Sequence, residues 1–491
     1  MSKETRKGNT SNIMKKKWLL LNPPTGAYIR DARCQSPING SFAVSERPPI
    51  DLAYIASILS NNGADVIIKD CEVERVSFSD IKQLLNENKF DYLVINTLMF
   101  TFQEDLKICT YAKKINPLIC TIVKGSIRYD HPEECIKNQR DMDILVLHCE
   151  EIVFESLAKG QSMSEIPNII YRDKDKIVKN QVEYSDELKL PLPRYDLIKH
   201  QLYKRPDTNE LQATIVVSRG CGGKCIYCIA PIVNGHKVVY RKIDDIMKEI
   251  DVYYQKYHIK NFYFSADNFV QNKSWVIDFC KCCQKLPYKI NWLCTSRIDG
   301  VDEELIVHMR NAGCYGVSIG IESGNQEIQK LIGKNLNIKQ ITTKIKLYQD
   351  NGIICLTHFI IGFPWDTKKT IIETIKLAKK IKGNIVEFYI ATPLPGTKLY
   401  EIVKQKQLLP KELNTYHMDY DTSVTGTYQL SSEEVEKWRI RGIRSIYLNP
   451  LFYLNSLKFI KDWRQLVLCI KFFIRKLFRI VFRIYGKNKV S

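Results

Sequence analysis

From Trp18 onward, short apolar runs alternate with stretches whose apolar residues recur every three or four positions. WLLLNPP is followed by a helical pattern that begins near Pro48 and Pro49 and continues through LAYIASIL to Gly63, and then by ADVIIKD. The series goes on with FDYLVINT, a helix over 104–115, LICTIVKG, a short helix near Pro132, DILVLH and a helix near 151–159. Parallel strands need a helical crossover of roughly a dozen residues or more, so this alternation predicts βαβ units and a parallel sheet. Residues 18–165 therefore read as an open, doubly wound, Rossmann-like α/β domain. A ligand of such a fold lies outside the carboxyl ends of its strands, here near Asn22, Pro23, Pro24, Thr97, Leu98, Gly125 and Ser126.

Residues 166–181 read as two strands around a charged turn, and the prolines of LPLPRYDL forbid helix and suit a connector, so 166–210 is taken as hairpin and linker. A second alternating series occupies 211–415: ATIVVSRG, IKNFYFSADNF, KINWLCTSRID, GCYGVSIGIESG, GIICLTHFIIGFP and NIVEFYIATPLPGT, with amphipathic stretches between them. Six such repeats predict a partial (β/α)6 barrel whose chemistry sits at the carboxyl ends of its strands. Residues 416–491 form a C-terminal region of basic amphipathic helices, and 1–17 a basic disordered tail.

The first strand of the second series runs into SRGCGGKCIYC, which places Cys221, Cys225 and Cys228 in a C-x3-C-x2-C array within a glycine-rich loop. Glycines let the backbone fold tightly enough for three thiolates to converge, and soft thiolates select iron–sulfur clusters or zinc. A closed zinc site wants four ligands, and the next cysteines, Cys280, Cys282 and Cys283, lie far downstream. Three thiolates suit a cluster with one open iron.

These residues resemble the cobalamin-dependent radical SAM enzymes. The resemblance implies that Cys221, Cys225 and Cys228 hold a [4Fe–4S] cluster and that S-adenosylmethionine chelates its fourth iron. Tyr227 stands where the family has an aromatic against the adenine. FYFSADNF offers Ser265 and Asp267 near the methionine amino group, and TSRID carries Arg297. GIESG matches the family's fourth-strand motif, with Ser318 and Glu322 towards the ribose and methionine parts, and FIIGFP and TPLPGT match the fifth and sixth strands. The amino-terminal pattern is similar to the family's cobalamin-binding domain, which brings Thr97, Gly125, Ser126 and Glu151 forward as cobalamin-side residues.

None of the eight histidines has Asp two positions before it, so the D-x-H-x-x-G motif of histidine-on cobalamin proteins is absent. Leu147, His148, Cys149 and Glu150 stand where the family carries a glycine/glutamate run, and Lys124 replaces one glycine of a pair. A charged loop with Arg30, Asp31, Arg33 and Cys34 follows the first strand. Single histidines such as His236 and His358 carry no assignment, although His358 precedes FIIGFP and suits a proton donor or acceptor. Cys280, Cys282 and Cys283 would scatter around a helix axis, as buried free thiols do.

The net charge of +19 sits at the two ends. Residues 437–491 hold 14 Lys/Arg against Asp462 alone, and 1–17 hold six against Glu4, leaving the body close to neutral. Lys471, Arg475, Arg479 and Arg483 follow each other at i+4 among large apolar residues, a cationic stripe suited either to an anionic membrane interface or to packing on the barrel. So many aliphatics would be wasted on phosphates, which disfavours nucleic acid. Sixteen scattered cysteines and no apolar leader point to a reducing cytoplasm. The expected activity is reductive cleavage of S-adenosylmethionine with methylation of an unactivated carbon in a small or lipid-like substrate, served by an electron donor such as flavodoxin or ferredoxin. Radical cyclisation or rearrangement is the enzymatic alternative, and a non-catalytic cobalamin or nucleic-acid binding protein the alternative from a different class.

Overall fold

The computed structural model describes residues 15–31, 35–38, 46–127, 129–410, 418–457, 459–460 and 462–481. Its first sheet has the order β2-β1-β3-β4-β5-β6-β7, built from β1 (Lys17–Asn22), β2 (Asp65–Asp70), β3 (Tyr92–Thr97), β4 (Cys120–Gly125), β5 (Ile144–Val146), β6 (Ile169–Asp173) and β7 (Lys176–Lys179). The first five strands are parallel, and β6 and β7 are antiparallel. The order 2-1-3-4-5 is that of a doubly wound sheet. Central strands here are apolar almost throughout, as in Leu19, Leu20 and Leu21 of β1, because helices cover both faces. The hairpin read as a connector extends this sheet: Val146 of β5 faces Ile169 of β6, so β6 protects an edge that would otherwise expose unpaired backbone groups. The single helix expected over 104–115 is divided into Phe102–Asp105 and Lys107–Ile115. Asp105, at the break, is fully buried and accepts hydrogen bonds from Thr97 and Thr101, both at 2.7 Å.

The second sheet contains β8 (Gln212–Val216), β11 (Asn261–Ser265), β12 (Asn291–Ser296), β13 (Cys314–Glu322), β14 (Ile354–Ile361) and β15 (Ile385–Ile390), all parallel and in the order β15-β14-β13-β12-β11-β8. A small ribbon of β9 (Ser218–Arg219) and β10 (Val239–Tyr240) lies between β8 and β11 in sequence. This is the expected partial barrel. Strand period two divides each strand into a set buried against the outer helices and a set facing the lumen. In β12, Trp292, Cys294 and Ser296 are buried, while Asn291, Leu293 and Thr295 remain partly accessible. The strand at the open edge is blunted by the helix Ser432–Tyr447: Arg439 Nε donates to Phe388 O at 2.7 Å, and Tyr447 Oη donates to Val386 O at 2.9 Å. Residues beyond 415 thus complete the barrel's edge.

The two sheets are fastened by a buried knot. Tyr54, on the amino-terminal domain's helix Ile50–Asn61, donates to Glu249 Oε1 at 2.9 Å, and Arg241 binds the same carboxylate at 2.7 Å and Val216 O at 3.0 Å. Arg241 and Glu249 are each 1% exposed. A buried ion pair is strongly felt when one partner is removed, because the other charge is left without compensation. Glu249→Ala should therefore lower the unfolding free energy by about 3 to 5 kcal/mol, and Tyr54→Phe by about 1 kcal/mol, in urea denaturation followed by circular dichroism. A loss below about 1 kcal/mol for Glu249→Ala would show that the knot does not fasten the halves.

Candidate active site

The carboxyl ends of the two sheets face one another, and the cysteine loop lies between them. Its base is clamped by Asp267, which follows β11: Oδ2 accepts from Gly220 N at 2.8 Å and from Asn234 Nδ2 at 3.0 Å. Its far side is tied by Ile226 N donating to Ile332 O at 3.0 Å. Cys221, Cys225 and Cys228 line one chamber of about 320 Å³ with Tyr227, Asp267, Arg297, Ser318 and Glu322, so eight residues expected from sequence meet in one place. A side chain at Gly223 would enter this space, 3.3 Å from Cys221 Sγ, 4.0 Å from Cys225 Sγ and 3.9 Å from an Arg297 nitrogen. Burial raises the Cys221 thiol, and pushes the Cys228 thiol up to about 12. Among the described residues no group of three or more His, Cys, Asp or Glu closes around a single metal ion. A four-iron cluster asks instead for thiolates spread around a larger body, which a chamber lined by the three cysteines, with a glycine beside two of them, permits.

Beside the cysteines runs a charged network. Glu322 is 6% exposed, and its Oε1 lies 2.5 Å from Lys334 Nζ and accepts from Tyr227 Oη at 3.1 Å. Burial, with Glu322 adjacent, holds the Tyr227 phenol well above its ordinary value. Glu322 has φ +65°, where a non-glycine residue is strained, and the β13–β14 register slips between Gly320 and Glu322. Arg297 grips Asp299 at 3.0 and 2.7 Å, donates to Lys334 O at 2.9 Å, and lies 3.7 Å from Cys225 Sγ. Lys334, 12 residues after Glu322, escapes sequence reasoning because the turn that brings it back has no local signature. Further down the lumen Ser318 Oγ and His358 Nε2 are hydrogen-bonded at 2.7 Å, and His358 stacks on Tyr389 with 5.8 Å between centroids.

A second space, about 280 Å³, lies between the sheets. Its amino-terminal wall includes Asn22, Asp70, Asn96, Gly125 and His148, and its barrel wall Thr214, Ser218, Ser265 and Asp267. Gly125 adopts φ +107°, and a Cβ there would fall 2.2 Å from Thr97 O. The hydroxyls of Thr214 and Ser218 are buried and have no hydrogen-bond partner, so this wall presents polar atoms that a ligand with amide groups would satisfy. Ser265 belongs to this cleft and not to the cysteine chamber, since it lines only the former.

Three residues expected beside cobalamin do not line the cleft. Thr97 is fully buried and spends its hydroxyl on Asp105. Ser126 is fully buried behind the strand end, its N–H donating to Thr97 O at 3.0 Å. Glu151 turns away to pair with Arg219 at 2.8 Å. Neighbouring residues line the cleft instead: Asn96, one residue before Thr97, and Glu150, one before Glu151. On a strand a shift of one residue reverses the side on which a side chain emerges, and on a helix it turns it by about 100°. Arg30 lines the cleft and is held by Asp105 at 3.2 Å and Asn96 O at 3.0 Å; Arg33 and Cys34 lie outside the described residues. Cys280 and Cys283 are buried on the helix Lys273–Gln284 while Cys282 is half-buried, as helical spacing required.

A radical SAM superfamily model matches residues 215–378, from β8 through the cysteine loop to the helix after β14. The chain contains a radical SAM domain. An uncharacterized methyltransferase of Pyrococcus horikoshii is 29% identical to it over 445 residues, which cover 88% of this chain and 93% of that protein. The anaerobic magnesium-protoporphyrin IX monomethyl ester cyclase of Rubrivivax gelatinosus is 23% identical over 91% of this chain and 82% of its own. Among solved structures, the cobalamin-dependent S-adenosylmethionine radical enzyme OxsB, with aqua-cobalamin and S-adenosylmethionine bound, superposes with a TM-score of 0.71 at 15% identity, covering 95% of this chain and 71% of that one. The methyltransferase TsrM of Kitasatospora setae, with cobalamin and a [4Fe-4S] cluster bound, gives 0.68 at 14% identity over 89% and 90%. The likeness therefore extends over both sheets and not over the radical SAM domain alone.

Asp70 makes the cleft sensitive to pH. Burial pushes its carboxyl up to about 6, although Tyr203 Oη donates to it at 2.6 Å. Between about pH 4 and pH 6 the folded chain holds a proton that the unfolded chain has released, so the contribution of Asp70 to stability falls as pH rises through this window. Asp70→Asn keeps the neutral form at every pH. The stability of the variant minus that of the parent should grow by about 1 to 3 kcal/mol from pH 4 to pH 7 in paired denaturant titrations, and a flat difference would contradict a buried, proton-holding Asp70.

Proposed function

We propose that the protein cleaves S-adenosylmethionine reductively and methylates an unactivated carbon, using a [4Fe–4S] cluster held by Cys221, Cys225 and Cys228 and cobalamin held in the cleft between the sheets. The observation that carries this reading is the junction of the two spaces: Ile29, Arg47, Tyr263 and Asp267 line both the cysteine chamber and the cleft. A radical formed in one compartment and a methyl donor seated in the other would have a common wall.

When bound, the cluster supplies the electron that breaks the sulfonium carbon–sulfur bond and the corrinoid supplies the methyl group. The chain supplies position and exclusion. The three thiols bind iron, and Gly223 leaves room between them. Lys334 and Glu322 offer opposite charges, suited to the carboxylate and ammonium of an amino acid, and the strained Glu322 backbone turns its carboxylate into the chamber. Tyr227 packs 5.6 Å from Phe363 and closes a wall against water. Arg297 places a cation 3.7 Å from Cys225 Sγ, where it would stabilise the reduced, more negative cluster. Ser318 and His358 present a hydrogen-bonding pair to the substrate. Exposed Gly222 and Lys224 mark the side on which flavodoxin or ferredoxin would deliver electrons. Likeness to the ring-forming cyclase over 91% of the chain makes radical cyclisation the second reading.

The anaerobically reconstituted protein, given reductant and S-adenosylmethionine, should form 5′-deoxyadenosine at least about 100-fold faster than Cys225→Ala, since the site-open cluster is the electron's only path. It should also retain cobalamin through gel filtration. Equal rates would sink the radical reading, and loss of cobalamin the methyl-transfer version. Product mass then separates methylation from ring closure.

The C-terminal helix Trp463–Val481 supports peripheral contact with an anionic membrane through the region 450–486. Trp463 is 70% exposed, Ile470 46% and Ile474 60%, with Arg464 and Lys471 exposed beside them. No described helix is long and apolar enough to cross a membrane. Liposomes containing phosphatidylserine should float the full chain, and Ile470→Glu with Ile474→Glu should reduce flotation severalfold. Equal flotation would remove the membrane contact.

A further inference from the structure

The barrel lumen does not end below His358. At the amino-terminal end of the strands lies a cavity of about 120 Å³, lined by Leu293 of β12, Ile354 and Leu356 of β14, and Ile385 of β15. All four belong to the lumen-facing set of their strands. The cavity's floor is the C-terminal helix and the segment before it: Phe459, Ile460, Cys469 and Phe473 complete the apolar wall. Cys469 and Phe473 lie four residues apart on one face, and Gln465, a turn earlier, reaches Asp207 of the linker with its Nε2 at 3.4 Å. The helix thus has two sides. One closes the barrel; the other carries Trp463, Val467, Ile470 and Ile474 to solvent.

Such a space is expensive to leave to water. At about 30 Å³ per water it would hold roughly four waters, each needing two or more polar partners, whereas most of the exposed wall is carbon and its polar groups are limited to side chains such as Asp207, Gln212, Asn384 and Gln465. Elsewhere the core is close-packed, so a void of this size marks a place where an apolar ligand fits. Two further facts specify that ligand. Arg47 and Tyr263 line this cavity as well as the cysteine chamber, with the guanidinium 3.6 Å above the ring, so the floor cavity begins where the chamber ends. And Asn384, 5% exposed at the cavity wall, has its Oδ1 occupied by Cys355 N at 2.9 Å while its Nδ2 has no partner, leaving its N–H donors for an acceptor oxygen.

We infer that this floor cavity is the second compartment of the substrate site and takes an aliphatic chain of the substrate carrying a hydrogen-bond acceptor. The inference rests on the reading of the upper chamber as the radical site, and it narrows the substrate to an amphiphile with a flexible hydrocarbon part. The Arg47–Tyr263 stack is the partition between the compartments, and a chain lying in both would displace it.

The test is titration of the full chain with cis-parinaric acid, an 18-carbon polyene carboxylate whose fluorescence rises in apolar surroundings. One probe should bind per chain with micromolar affinity. Leu356→Trp, which fills the cavity from β14, should weaken binding at least tenfold, and Ile385→Phe, a smaller insertion from β15, should do the same if the first variant folds poorly by circular dichroism. Ile470→Glu, on the outer side of the C-terminal helix, should leave binding unchanged. No binding by the parent chain, or binding lost in Ile470→Glu and kept in both filled variants, would overturn the inference. Formation of 5′-deoxyadenosine by the parent chain is read separately: its absence with probe binding retained would remove the radical reading and leave the cavity, whereas its presence without probe binding would do the reverse.

Discussion

A buried charged knot in the seam helps to hold the carboxyl ends of the two sheets' parallel strands towards each other. Glu249 accepts from Tyr54 of one half and Arg241 of the other, and Arg241 also donates to the last residue of β8, so the strand that leads into the cysteine loop is referenced to the amino-terminal helix. Ligand sites of open α/β sheets and of barrels both lie at carboxyl strand ends. Apposing two such ends makes one space out of two sites, and the seam decides how wide it is. An apolar seam would bind as well but would fix orientation less, since hydrogen bonds are directional and dispersion is not.

Within the barrel a single rule, period two along a strand, distributes the chemistry by height. The lumen-facing residues of β14 run from Ile354 and Leu356 through His358 to Ile360, and those of β12 from Leu293 through Thr295 to Arg297 beyond the strand's end. The lower layer is apolar, the middle carries hydrogen-bonding groups, and the charges lie at the top beside the cysteines. Arg47, which comes from the amino-terminal domain, crosses these layers and stacks on Tyr263. The charged top is tolerable because each buried ion has a partner, Lys334 for Glu322 and Asp299 for Arg297.

The strand runs, the order of the two halves and the convergence of three cysteines were all legible in the residues, because each depends on local periodicity or on a short loop. Tyr227 and Glu322 came forward through the resemblance of the short motifs that carry them, and both line the cysteine chamber. Lys334 was not legible, since it enters through a turn that only the packed barrel defines. Thr97 and Ser126 lie at the ends of their strands and Glu151 in the first turn of a helix, and none of the three lines the cleft: the choice between Thr97 and Asn96 depends on which one Asp105 pulls inward, and Asp105 lies on the next helix. The hairpin at 169–179 was visible as a hairpin, but its joining to β5 depends on an edge left open by the strands before it.

The charge distribution shows the division most clearly. Sequence alone established that the basic residues belong to the ends of the chain and that the C-terminal segment is an amphipathic helix, because both follow from composition and a 3.6-residue period. It left open whether the apolar side of that helix meets a membrane or the barrel. Tertiary structure gave the helix one side against the barrel floor and left the other in solvent, since a helix resting on the mouth of a barrel can bury only the stripe that faces it. What a residue is, and how often its kind recurs, is written along the chain; which surface it meets is set by elements far away in sequence, whose positions exist only once the chain is folded.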